Sequence, residues 1–172
     1  MNKEPIIIYY SRSGNTETVA RLIQKKTGGR LFEVNPVQAY PSNYSSCVDQ
    51  AKKEIQTGFM PELEAVPDNL DSYYVIFIGT PIWWHTMSPP VFTFLNHADL
   101  SGKTIVPFCT HGGGGKGHYI NDVIKLCKHS VVLDDLVLYG NGGKTAESEI
   151  MTWLNRIEMN KGDISNDFRR KV

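Results

Sequence analysis

The run Tyr73-Tyr74-Val75-Ile76-Phe77-Ile78-Gly79 sets the strongest limit on how this chain can fold. It is apolar at successive positions, without the alternation of a strand that shows one face to water. Such a strand needs cover on both faces, which is the setting at the centre of a parallel sheet flanked by helices. The remaining chain supplies the parts. Strand-like runs at Ile6–Tyr10, Leu31–Asn35, Thr104–Cys109 and Val131–Tyr139 alternate with segments of helical spacing. Val19, Ala20, Leu22 and Ile23 share one helical face, and Val48, Ala51 and Ile55 share another. Val91, Phe94 and Leu95 follow the same rule, as do Tyr119, Ile120, Val123, Ile124 and Cys127, then Ile150, Trp153, Leu154 and Ile157. Gly28-Gly29 ends the first of these helices, and Pro89-Pro90 opens the third. The expected architecture is an α/β three-layer sandwich around a five-stranded parallel sheet with right-handed crossovers. Asp134-Asp135 breaks the fifth strand.

A chain of 172 residues fits one domain with a sizeable core. The expected division is a domain over residues 1–159 and a polar C-terminal tail over 160–172, which holds the cationic cluster Arg169-Arg170-Lys171. Formal net charge is zero and no basic stripe is present, which argues against a nucleic-acid partner. No apolar run reaches membrane-spanning length, so no membrane association is expected. Three cysteines, Cys47, Cys109 and Cys127, with no C-x-x-C, fit neither a disulfide framework nor a zinc ribbon. Together with the lack of a signal-peptide pattern, they point to a reducing cytoplasm. Five histidines without ligand spacing do not make a metal site.

In open α/β sheets, ligands gather at the carboxyl ends of the strands. Three loops there carry chemistry. The first is Ser11-Arg12-Ser13-Gly14-Asn15-Thr16, between the first strand and the first helix. A helix start offers N–H groups without internal partners and the positive end of the dipole. Small hydroxyls beside it add donors, and Gly14 lets the backbone come close, so the loop suits a phosphate. Plain helix capping by Ser or Asn is the competing explanation. The second loop, Pro81-Ile82-Trp83-Trp84-His85, puts adjacent tryptophans where they must pack on the protein or face a flat conjugated ligand. One of each is expected. The third, Thr110-His111-Gly112-Gly113-Gly114-Gly115-Lys116-Gly117, leaves backbone N–H groups uncovered for the edge of a planar heterocycle. Its match to G-x-G-x-x-G is a by-product of the glycine run, and a Walker loop is excluded because Gly117 follows Lys116.

Read together, these loops resemble the flavodoxin-like family. Ser11 to Thr16 is similar to its Thr-x-Thr-Gly-Asn-Thr phosphate loop, with serine for each early threonine. Gly79 to Trp84 with Pro89 to Leu95, and Thr110 to Gly113, resemble the second and third loops of one subgroup. The resemblance implies strand order 2-1-3-4-5 and bound FMN. It implies that Ser11, Ser13, Gly14, Asn15 and Thr16 hold the phosphate. By the same resemblance Pro81, Ile82, Trp83 and Trp84 line the isoalloxazine, and Thr110, His111, Gly112 and Gly113 meet its other edge. Arg12 falls at the variable position, with a solvent-facing role in view.

The resemblance implies an FMN-binding electron-transfer protein, with a redox partner protein or a small-molecule acceptor. The alternative is an NAD(P)H-dependent FMN oxidoreductase that reduces quinones or similar acceptors. His85 and His111 stand where either could serve the flavin or simply pack. Many flavodoxins carry an acid-rich rim. Here neither Pro81–Pro90 nor Thr110–Lys116 contains an acid. Residues 36–70 exceed a simple connection, and Tyr40 and Tyr44 there either reach over the ring or cover the sheet edge. A receiver domain needs acids after strand one, where Tyr9, Tyr10 and Ser11 stand. A small tyrosine phosphatase needs a cysteine in the first loop, and none is present.

Overall fold

The computed structural model describes residues 4–169, with side chains described for residues 4–157. Strands β1 (Ile6–Tyr9), β2 (Arg30–Glu33), β3 (Val75–Trp83), β4 (Thr86–Met87), β5 (Thr104–His111), β6 (Val131–Val132) and β7 (Leu136–Tyr139) form the sheet. Helices α1 (Asn15–Thr27), α2 (Tyr44–Thr57), α3 (Pro89–His97), α4 (Tyr119–Leu126) and α5 (Ala146–Arg169) surround it. The parallel order runs β2-β1-β3-β5, with β6 and β7 both paired to the far side of β5. The five expected positions are therefore filled in the order 2-1-3-4-5, the last by a strand split at Leu133–Asp135. The polar tail expected from residue 160 falls on the last part of α5 and beyond, where side chains lie outside the described residues.

Strand geometry divides the core in two. Ile6, Ile8 and Tyr10 point to one face, where α3 and α4 contribute Val91, Phe94, Leu95, Tyr119 and Val123. Ile7 and Tyr9 point to the other, against Val19, Ala20 and Ile23 of α1 and Ile150, Trp153 and Ile157 of α5. The strand that begins in the Tyr73–Gly79 run is the sheet's centre. Gly79 lies under the ring of Phe108 on β5, and a Cβ there would overlap that ring.

Two features depart from the sequence expectation. β3 continues past Gly79 to Trp83 and turns back as a hairpin, pairing Ile82 with Met87 and Trp83 with Thr86. The segment after β2 makes a long excursion that closes on itself. Pro36 bridges Leu63, Val37 N–H donates to Glu62 O at 2.9 Å, and Glu64 N–H donates to Asn35 O at 2.9 Å. Helix α2 rides on this excursion. Among the described residues, no helix is long and apolar enough to cross a membrane.

Candidate functional site

All three loops lie at the carboxyl ends of β1, β3 and β5, and they open on one cavity of about 520 Å³. Of the predicted residues, Ser13, Asn15, Thr16, Pro81, Ile82, Trp83, Trp84, Thr110, His111 and Gly112 line it. Ser11, Gly14, His85 and Gly113 do not.

The first loop is shaped by Gly14, which takes a left-handed conformation (φ 85°) at the cap of α1. No side chain caps this helix. The competing capping explanation therefore does not account for the hydroxyls. Thr16 and Thr110 share a buried hydroxyl hydrogen bond of 2.8 Å, which ties the first loop to the third. Ser11 Oγ is buried without a hydrogen-bond partner. A buried hydroxyl left so is destabilising, and its presence beside an uncapped helix N-terminus suits an anionic acceptor. Glu17, the acid of the first turn, is engaged by Arg21 at 2.7 Å.

Arg12 is not a solvent-facing spacer. It lines the cavity, and its Nη2 donates to Pro41 O at 3.0 Å and to Ser42 O at 2.9 Å, just before α2. Helix α2 forms the opposite wall with Tyr44, Cys47, Val48 and Ala51. Tyr44 faces the cavity, while Tyr40 packs beneath it, edge-on to Trp83 with centroids 4.9 Å apart, and donates to Glu54 at 2.5 Å. Burial raises the Cys47 thiol above its ordinary range, and nearby Arg12 offsets part of that shift. Cys47, Val48 and Ala51 escaped sequence reasoning. Their signal was there, since a helical face built from small residues can lie close against a ligand.

The two tryptophans both line the cavity. Trp83 stands edge-on to Tyr10 at 5.7 Å and leans on the core. Trp84 is 42% exposed, yet its Nε1–H donates to Val48 O at 3.0 Å and Lys52 lies over its ring at 4.8 Å. Trp84 and His85 are the two central residues of the β3–β4 hairpin, and both have positive φ, 48° and 67°. A two-residue turn of this kind favours Asn-Gly. Bulky side chains there hold strain, which collects at functional sites. The turn is braced by the third loop, where His118 N–H donates to His85 O at 2.8 Å. Gly117 packs so closely on His85 that a Cβ would overlap its carbonyl. His85 is exposed and acts here through its backbone. His111 lines the cavity, but its Nδ1 accepts N–H groups from Gly113 (3.1 Å) and Gly115 (3.2 Å). That ring shapes the glycine loop.

The profile of the flavodoxin family matches residues 4–157. The chain belongs to the flavodoxin family. A candidate flavoprotein from Bacteroides eggerthii shares 29% identity with it, over 91% of this chain and 99% of the other, at a TM-score of 0.80. One from Bacteroides uniformis is 23% identical over 88% and 99%, at 0.78. A flavoprotein solved in complex with FMN, from Lactobacillus acidophilus, is 22% identical over 88% and 99%, at 0.67. Among curated proteins none matches. The charge of the cavity lining is distinctive. Among the described residues, no Asp or Glu lines the cavity, and Arg12 is its one permanently charged group.

Proposed function

We infer that this chain is an FMN-dependent electron-transfer flavoprotein. One observation carries the reading. An uncapped helix N-terminus opens into the same cavity as an aromatic hairpin and a glycine loop, and the buried, unpartnered Ser11 hydroxyl lies just before it in the chain. The donor set suits a single terminal phosphate attached to a flat ring. Ser11, Ser13, Asn15, Thr16 and the first N–H groups of α1 would hold the phosphate. Pro81, Ile82, Trp83 and Trp84 would give the ring an apolar wall, and the N–H groups around Gly112 would meet its polar edge. When bound, FMN supplies the one- and two-electron chemistry. The protein orients it, limits water through Trp83 and α2, and keeps acids out of the lining.

The leading version is a carrier that passes electrons to a redox partner protein. A second version is an oxidoreductase that takes hydride from NAD(P)H and reduces quinones or similar small acceptors. The α2 wall favours it, because a second wall beside the aromatic hairpin makes a recess suited to a small molecule. Three unpaired buried cysteines fit a reducing cytoplasm for either version. Steady-state assays on FMN-loaded protein, with NADH or NADPH and a quinone, separate the two. Saturable turnover identifies the enzyme. Negligible turnover, with fast reduction by one-electron donors, identifies the carrier. Absence of FMN affinity refutes both.

A further inference from the structure

The excursion between Pro36 and Leu63 is built as a flap. It leaves and returns through one antiparallel bridge, so its base is narrow and closed. Its helix buries only Cys47, Ala51 and Glu54. Glu54 is satisfied from within the flap, by Tyr40 at 2.5 Å and Gln50 at 2.8 Å. Tyr40 packs against Tyr10 and Trp83, and the far end of the helix lies beside α3, where Ile55 and Phe59 share a second cavity with Met87 and Phe92. Away from the base, and among the described residues, the hydrogen bonds from the flap to the rest of the chain come from two side chains. Arg12 holds Pro41 and Ser42, and Trp84 holds Val48. Both belong to loops that line the cavity.

Resting on the FMN reading, we propose that Arg12 is a latch that couples occupation of the phosphate cradle to closure of the α2 flap over the cavity. The guanidinium is a rigid fork with five N–H donors. Nη2 serves the flap through Pro41 and Ser42, and the guanidinium also lies beside the Cys47 thiol; an anion between Ser11 and Ser13 would take up donors that remain. An anion held there fixes the Arg12 side chain in one rotamer. The two bonds to Pro41 and Ser42 then form with less conformational freedom left to lose, so the flap closes more firmly. By linkage, a closed flap tightens binding of the anion to the same extent. Arg12 is thus a positioning residue for the wall, and a redox substrate meets that wall only when the cofactor is in place.

Hydrogen exchange measured by mass spectrometry tests this on the whole chain. Wild type, Arg12→Lys and Arg12→Gln are compared without ligand and saturated with riboflavin, FMN or inorganic phosphate. Riboflavin carries the ring without the phosphate. Amides of β3 and β5 report whether each variant is folded. The expected result is that FMN slows exchange across residues 44–57 about tenfold beyond riboflavin, in keeping with bonds to a charged donor. Lysine keeps the charge without the fork, so Arg12→Lys binds FMN yet loses that extra protection, and Arg12→Gln behaves alike. Equal protection by FMN and riboflavin in wild type overturns the latch, as does full extra protection in either variant. If FMN does not bind at all, the cofactor reading fails and the phosphate arm still decides. Phosphate then slows residues 44–57 in wild type alone, or the latch is refuted as well.

Discussion

Replacing Ser11 by alanine should move two measurable quantities in opposite directions. The Ser11 hydroxyl is buried and has no hydrogen-bond partner within the protein. An unsatisfied buried hydroxyl is destabilising by about 1–3 kcal/mol, so its removal should stabilise the apoprotein by up to that amount. With FMN bound, the same hydroxyl donates to a phosphate oxygen, a bond to a charged group that contributes about 1.5–3 kcal/mol. Its loss should weaken FMN binding roughly tenfold to 150-fold. Urea unfolding of apoprotein gives the first number, and quenching of flavin fluorescence on titration gives the second. The combination distinguishes a binding role from a packing role, because a packing residue loses both when truncated. An apoprotein made less stable by Ser11→Ala, or an unchanged FMN affinity, would refute the assignment of this hydroxyl to the phosphate.

Gly117→Ala should loosen the brace on the Trp84–His85 turn, since a Cβ there overlaps the His85 carbonyl and φ is 56°. A loss of about 1–3 kcal/mol in urea unfolding is expected, together with weaker FMN binding; an unchanged midpoint would show that the turn stands alone. Stability should fall on the alkaline side. Burial pushes the Tyr9 phenol to about 12, and the thiols of Cys109 and Cys127 to about 12 and about 11. Groups raised in the folded state favour it fully below their ordinary values near 9–10 and lose that contribution as pH climbs through the folded ones, so urea midpoints should drop between pH 9 and 12 while tyrosinate absorbance lags. Bound FMN should have a less negative potential than in acid-rimmed flavodoxins, and Val48→Glu should lower it, because a carboxylate in the wall opposes added negative charge. Spectroelectrochemical titration checks this, and an unchanged potential in the variant would show that the wall does not sense the ring.

The parallel sheet was legible because its evidence is local. Tyr73–Gly79, Ile6–Tyr10 and Thr104–Cys109 are each too apolar to face water on either side, and the spaced Val, Ile and Leu positions declare the helices that cover them. The break at Asp134-Asp135 was legible for the same reason. What stayed hidden depends on pairs distant in the chain. Arg12 reads as a surface residue until its partners, 29 and 30 positions away, are known. Nothing in Pro81–Met87 marks a hairpin, because Trp84 and His85 are poor residues for a two-residue turn and are held there by Val48 and His118. The cavity wall from Cys47, Val48 and Ala51 depends on where the excursion folds back, which the Pro36–Leu63 bridge decides. From the sequence His111 could serve the flavin or simply pack, and hydrogen bonds from its own loop occupy one ring nitrogen.

The interruption of the last strand also bears on how these molecules treat one another in a concentrated solution. A sheet border with free N–H and C=O groups is a template on which a second chain can add. Here that border is cut into pieces of two and four residues. Between them Asp134 faces Arg156 and Asp135 takes bonds from Lys116 and Tyr119, so neither acid is free to straighten into a continuous ribbon. The opposite border, β2, is four residues long and begins and ends on Arg30 and Glu33. Both borders are thus short, charged and poor at recruiting neighbours. Val-Thr in place of Asp134-Asp135 would join the pieces into one long apolar margin and make edge-to-edge stacking of chains easier.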